Sequence, residues 1–398
     1  MTDLIKSTPF WKTDRFWWIV YGVLTVFVSI KTMLTEEQAT GMVKVGNGNF
    51  TIFYQSFHHL IEGKTLYGFY PQEYENRFNY SPFFALLMTP FALLPYTLGG
   101  ILWNICNGIF FFSAIRKLHI DTNKKVLVYF CLIFDTFTTL GYFQTNPSLT
   151  ALLIWSVVFM ERGKVHWATC LLMLGTWTKI LPFLGCIFWL LYPKKVQFIA
   201  YCVLWSVLFF ALPLTLVSFN HLLFLYSDWY VWLTKHAAMH GESNWLINAH
   251  SLMKRAFHIY IDLKYFIVIG GLLLLGSIAY KRAYVHELTF KMLVLANILI
   301  FLTIFNPGAE PPTYIIAATG VVIWYIYSPY STFNLVVGLF AFIIVAFAQS
   351  DLFPFQYFRK QIIHGYALKA LPCLIVWIMT IIQLYRYTPE KSEEKIIL

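Results

Sequence analysis

The sequence predicts an all-α polytopic membrane protein, and three observations carry that prediction. Hydrophobic residues make up 59% of the chain and charged residues only 12%, with positive mean hydropathy, which leaves too few polar groups to dissolve a globular domain. Apolar runs near 18 residues recur from end to end, the length a helix needs to cross about 30 Å of hydrocarbon. The basic residues punctuate the ends of these runs instead of forming one patch, so the net charge of +10 reflects membrane topology and not a nucleic-acid surface.

Taken in order, the apolar runs predict about twelve spans, roughly 16–34, 97–115, 124–142, 146–160, 165–180, 181–193, 197–217, 264–280, 288–305, 312–328, 331–349 and 369–385. No cleavage-site pattern follows the first run, which is read as a span and not as a signal peptide. The fifth and sixth are interrupted at Thr178-Lys179-Ile180-Leu181-Pro182, either a tight hairpin at a membrane face or a broken helix. Arg116, Lys117, Lys124 and Lys125, then Arg162 and Lys164, then Lys194 and Lys195, then Lys281 and Arg282, then Arg386 all fall on one side if the N-terminus is cytoplasmic. Both termini are then inside, and the segments 44–95, 220–264, 306–312 and 351–369 are outside. Residues 1–387 read as one membrane domain with outer loops at 44–95 and 218–264, and 388–398 as a charged, disordered cytoplasmic tail. No inverted or parallel repeat, the sign of a secondary transporter, is visible between the halves. The six cysteines lie in or beside apolar runs without metal spacing and read as buried small hydrophobes.

The first outer loop is the longest polar interval. Phe50, Phe53, Tyr54, Phe57, Leu60 and Ile61 recur at helical spacing with Thr51, Gln55, Ser56, His59 and Glu62 on the other side, which predicts an amphipathic helix capped by Asn49 and stopped by Gly63. After a tyrosine-rich stretch, Ser81-Pro82 reads as cap and first residue of a short apolar helix, kinked at Pro90 and ended at Pro95. At about 13 residues it is too short to span, so an interfacial or re-entrant helix is expected. Trp229, Trp232, Trp245 and the tyrosines at 67, 70, 74 and 80 read as interfacial anchors, with an aromatic floor under a sugar ring as the alternative.

The cytoplasmic side holds almost nothing but turns, too little to bind a nucleotide sugar, so chemistry is expected at the outer face. Lys179 stands out there. It sits beside a proline in a strongly apolar run, where an ammonium calls for a partner or a role, and a lipid phosphate is its natural counter-ion; snorkelling to the interface is the alternative. Asp135, inside the third span, is expected to pair within the protein. Arg77, Lys254 and Arg255 read as phosphate contacts or as solvated charges. His58, His59, His236, His240 and His250 raise the question of zinc, but His236-x-x-x-His240 lacks a third ligand at recognisable spacing, and no metal site is expected.

Several stretches together resemble glycosyltransferase family 87, the polyprenol-phosphate-mannose-dependent mannosyltransferases of the GT-C class. They are Asn49-Phe50 with Tyr54; Gly63 to Tyr67; Tyr80-Ser81-Pro82 with Pro90 to Pro95; Gln144-Thr145-Asn146; Lys179 to Pro182; and, more loosely, Asn248 to Ser251. The resemblance implies a GT-C-like fold in a bacterial-type inner membrane. It implies an enzyme that passes a sugar, mannose or similar, from a polyprenyl phosphate to a glycolipid or envelope acceptor with no cofactor, with Tyr80, Gln144, Asn146, Asn248 and Ser251 among its substrate-binding residues. Such transfer needs a carboxylate to take the acceptor proton, and cations or hydroxyls to hold the departing phosphate. The family base is an aspartate at the position of Asn49, and an amide cannot accept a proton at neutral pH. Either the base comes from elsewhere or the chain is an inactive relative; a polyprenyl-lipid transporter or flippase is the non-catalytic alternative. The outward carboxylates are Glu36, Glu37, Glu62, Glu73, Glu75, Asp228, Glu242, Asp262, Glu310 and Asp351. Glu310 is preferred because Asn306-Pro307-Gly308-Ala309-Glu310-Pro311-Pro312 is a rigid turn at the membrane edge, with Asp228 and Glu62 next.

Overall fold

The computed structural model describes residues 9–40, 48–74, 76–240, 246–349 and 353–389, with the side chains of 36–40, 236–240 and 349 left out. Glu75, Glu242, Trp245, Asp351, the side chains of Glu36, Glu37, His236 and His240, the Lys44 end of the first loop and the tail beyond 389 lie outside the described residues.

The described residues are helical, without strands. In order they form α1 (Asp14–Thr40), α2 (Asn49–Ile61), α3 (Pro82–Leu87), α4 (Thr89–Ala92), α5 (Tyr96–Ile115), α6 (Thr122–Gly141), α7 (Asn146–Glu161), α8 (Val165–Thr178), a 3-10 segment Leu181–Leu191, α9 (Lys195–Ala211), α10 (Phe219–His240), α11 (Ala249–Ala256), α12 (Leu263–Tyr280), α13 (Leu288–Ile304), α14 (Tyr314–Tyr327), α15 (Thr332–Ala341) and α16 (Ala370–Tyr385). Each predicted apolar run falls on a helical segment. Four segments, Asp14–Thr35, Tyr96–Ile115, Lys195–Thr215 and Leu263–Tyr280, are long and apolar enough to cross a membrane by length and composition. Others are shorter: α8 and the 3-10 segment measure about 21 and 22 Å from their rises.

The main core is centred on α13, buried along most of its length, with α14 and α16 packed on it. Small residues allow the close approaches: a Cβ on Gly320 of α14 would come 2.7 Å from the Ala296 carbonyl of α13, and one on Gly108 of α5 2.7 Å from Thr25 of α1. The interruption at 178–182 is a hairpin. Gly175 faces Pro182 while Gly185 faces Leu172, the pairing of two antiparallel neighbours, and Lys179 is extended (φ −146°, ψ 126°) at the tip.

A second core lies under the first loop and corrects several expectations. The helix α2 is buried nearly all round, including Thr51, Ser56 and His59 of the face expected to be polar, because the loop folds over it; Ile61 is the apolar member left exposed. Tyr67, Tyr74, Tyr80, Trp229 and Trp232 are core residues here, each 8% exposed or less, and not interfacial anchors. The polar tips of Tyr67, Tyr80 and Trp232 find partners, as where Trp232 Nε1 donates to Asn79 Oδ1 at 2.6 Å, while among the described residues the Tyr74 hydroxyl and Trp229 Nε1 are buried without one. The segment expected as a second outer loop is itself helical: α10 brings Leu225, Trp229 and Trp232 to this core, a stripe at spacings of three and four. Asn49 is not the cap of α2. Gly48 holds that position, and the Asn49 amide donates to the Tyr142 carbonyl at 2.8 Å, tying the helix start to the end of α6. Gly63 does stop the helix: at φ 70° it donates to Leu60 while Lys64 donates back to His59, a Schellman closure. Ser81 caps α3 as expected, and the chain breaks ahead of Pro90.

Candidate active site

The candidate residues gather at one end of the bundle, where the chain reverses at the α6–α7 corner, the Lys179 tip and the turn between α13 and α14. The first loop is pinned there through Ser81, whose hydroxyl donates to the Trp177 carbonyl and whose N–H reaches the Thr178 carbonyl at 3.5 Å. That brings Tyr80 beneath the hairpin tip, with the Lys179 ammonium 5.5 Å from its ring centroid. The Tyr80 hydroxyl in turn meets Thr145 Oγ1 at 3.2 Å at the head of α7, and Tyr67 donates to the Tyr80 carbonyl at 2.9 Å. Among the described residues the Lys179 ammonium forms no hydrogen bond or ion pair; its surroundings are an aromatic face and the field of Glu310.

Glu310 begins the short turn Pro311–Thr313 ahead of α14, extended at φ −116° and ψ 168°, as a residue before proline must be. Its N–H donates to Thr313 Oγ1 at 3.2 Å. The turn is seated from below by Thr139 Oγ1 and Asn146 Nδ2, which donate to the Pro312 carbonyl at 2.8 and 3.2 Å. The Glu310 side chain is exposed, with protein packed around its base. That desolvation raises its pKa above the ordinary glutamate value, and the Lys179 charge pulls it partly back. A carboxylate so placed is a better base near neutral pH than a fully solvated one.

The other candidates are engaged differently. Asp228 on α10 accepts from the Thr65 hydroxyl and clamps the first loop to α10. Glu62 pairs with Lys64 at 2.7 Å on the open surface, which lowers its pKa and makes it a weaker base. The Arg77 guanidinium stacks over Trp232 and Phe69, 4.7 and 5.5 Å from the ring centroids, and is exposed. Gln144 is held by its backbone, its carbonyl accepting from Asn107 Nδ2 at 2.6 Å. Asn248 caps α11 through the Ser251 N–H at 2.8 Å and donates to the Asn306 carbonyl at 3.1 Å, joining α11 to the turn that carries Glu310. Arg255 donates to the carbonyls of Ser251, Leu246 and His364, which makes it a clamp between α11 and the segment ahead of α16. Lys254, half-buried on α11, is one residue away. His59 pairs with Glu73 at 2.7 Å, and among the described residues no three potential metal ligands come together.

Sequence reasoning missed Lys369, read as the end of an outer loop. It is fully buried and paired with Asp135 at 3.3 Å, so the expected internal partner of Asp135 is found 234 residues away. Two cavities, of about 540 and 550 Å³, lie at the opposite end around His119 and Asp121, the second lined by Arg116, Lys117, Lys125 and Arg162. They contain none of the candidate residues.

A family model of glycosyltransferase family 87 matches residues 78–307, taking in Tyr80, Gln144, Asn146, Lys179, Asp228 and Asn248, and stopping three residues short of Glu310. Asn49 lies ahead of the matched segment. None of the curated proteins matches the chain. With more than half of its length matched, across both the pinned first loop and the Lys179 hairpin, the chain belongs to glycosyltransferase family 87.

Proposed function

We propose that this membrane glycosyltransferase takes a sugar, mannose or similar, from a polyprenyl phosphate and passes it to a glycolipid or envelope acceptor at the outer face of a bacterial-type inner membrane. The observation that carries the reading is an unengaged ammonium, Lys179, over the Tyr80 ring at the same end of the bundle as the Glu310 carboxylate and close enough for its charge to act on it. Lys179 holds the donor phosphate beside Tyr80. Glu310 accepts the proton of the acceptor hydroxyl as its oxygen bonds to the anomeric carbon and the bond from that carbon to the phosphate oxygen breaks. The polyprenyl phosphate leaves as an anion against Lys179, so no general acid is required and the protein's own residues suffice without a cofactor.

One observation favours a second reading, a catalytically inactive relative: position 49 has no carboxylate, and its amide is engaged with Tyr142. Incubation of the purified protein with labelled polyprenyl-phosphate sugars and a membrane lipid extract separates the readings. A new labelled glycolipid and released polyprenyl phosphate support transfer. Donor binding or movement across vesicles without a new product would leave a carrier, and neither would leave an inactive subunit.

A further inference from the structure

Beneath the Glu310 turn lies a buried ion pair that no step of the proposed transfer uses. Lys369 and Asp135 are 0% and 1% exposed, with Nζ 3.3 Å from Oδ1. Lys369 also donates to the Pro311 carbonyl at 3.2 Å and stands 4.7 Å from the Tyr314 ring centroid. One helical turn beyond Asp135, Thr139 donates to the Pro312 carbonyl, as does Asn146 from α7. Side chains from α6, α7 and the segment ahead of α16 therefore converge on the two carbonyls that follow Glu310.

Stability does not account for the pair. Withdrawing two charges from water costs more than an apolar pair of the same volume would, and Asp135 Oδ2 is left buried without a hydrogen-bond partner. Geometry does. Neither Pro311 nor Pro312 has an N–H, so beyond the Glu310–Thr313 bonds and the Ile247 N–H on the Ala309 carbonyl, the turn on the far side of Glu310 is held through the two proline carbonyls. A reacting group displaced by about 1 Å can lose roughly 10²-fold in rate.

We propose that Lys369 and Asp135 are positioning residues for Glu310, Lys369 seating the Pro311 carbonyl and Asp135 holding the Lys369 ammonium against it. The proposal rests on Glu310 being the base. Two neutral double variants test it. Asp135→Asn with Lys369→Gln keeps an N–H donor for the Pro311 carbonyl; Asp135→Asn with Lys369→Met fills similar volume and has none. The methionine pair should lower kcat about 10- to 100-fold with donor KM unchanged, and hydrogen exchange at the amides of Gly308, Ala309, Glu310 and Thr313 should rise. The glutamine pair should stay within a few-fold of the parent in both. Equal behaviour of the two pairs, whether both are intact or both impaired, overturns the proposal. If the parent transfers no sugar, the reading of Glu310 fails, and the exchange comparison still decides whether the pair seats the turn. Should neither double variant fold, Asp135→Asn alone keeps Lys369 and removes the carboxylate that holds its ammonium against the Pro311 carbonyl. Exchange over 308–313 should then rise, and unchanged exchange overturns the proposal.

Discussion

Replacing Lys179 with methionine removes a charge and leaves the side-chain stem. In the free protein the ammonium has no carboxylate partner within 4.0 Å among the described residues and faces the Tyr80 ring, a contact worth about 0.5–1 kcal/mol at a partly open site. Little folding stability is therefore at stake. In the donor complex the same ammonium would make a charge-assisted contact to phosphate, commonly about 1.5–3 kcal/mol. With about 1.36 kcal/mol per decade, donor affinity should fall about 10- to 150-fold. The assay is equilibrium binding of labelled polyprenyl-phosphate sugar to detergent-solubilised protein, with the folded fraction measured by gel filtration. A second readout has a definite sign. The Lys179 charge lowers the Glu310 pKa, so its removal must raise that pKa further, and the acid limb of kcat/KM must move to higher pH. Unchanged donor affinity would return Lys179 to the snorkelling class, and an acid limb that stayed in place or moved down would refute its electrostatic link to Glu310.

Three further outcomes follow from the same geometry. Gly99→Ala would drive a Cβ into the Phe91 carbonyl, a backbone atom that cannot swing away, so α5 must shift from α4 at a cost of about 1–3 kcal/mol, read as a lower melting midpoint. Burial holds the His59 pKa below its ordinary value against the opposing pull of Glu73, so its neutral form stabilises the fold above about pH 6.5 and that contribution is lost as pH falls through the lowered value. The melting midpoint should drop on acidification, and drop less in His59→Gln. Cysteine labelling should find Gln72 and Gln361 reachable from outside and Asn123 only from the cytoplasm; Asn123 labelled from outside would reverse the topology.

What could be read from the sequence was local. Ser81-Pro82, Gly63 and the Lys179-to-Pro182 interruption declare themselves because caps, left-handed stops and proline breaks act on neighbouring residues. The apolar runs were legible for the same reason, although whether 178–182 closed a hairpin needed Gly175 and Gly185 seen against their partners. Asn49 misled because a capping residue type also serves as a long-range donor, and its partner Tyr142 is 93 positions away. The tyrosines and tryptophans misled because an amphipathic ring suits an interface and a satisfied core equally well. In α10 the apolar stripe was present in the sequence, but the polar residues between its members disguised it as loop. Lys179 and Glu310 were each visible alone, and their proximity was not.

The most direct test of the account is turnover and donor binding measured together for Glu310→Gln, which keeps size and hydrogen bonding but cannot take the acceptor proton. The account predicts a loss of about 10²–10⁴-fold in kcat with donor affinity within a few-fold of the parent. Turnover within a few-fold of the parent would contradict it, leaving Glu310 a turn residue and moving the search for the base to Asp228 and Glu62.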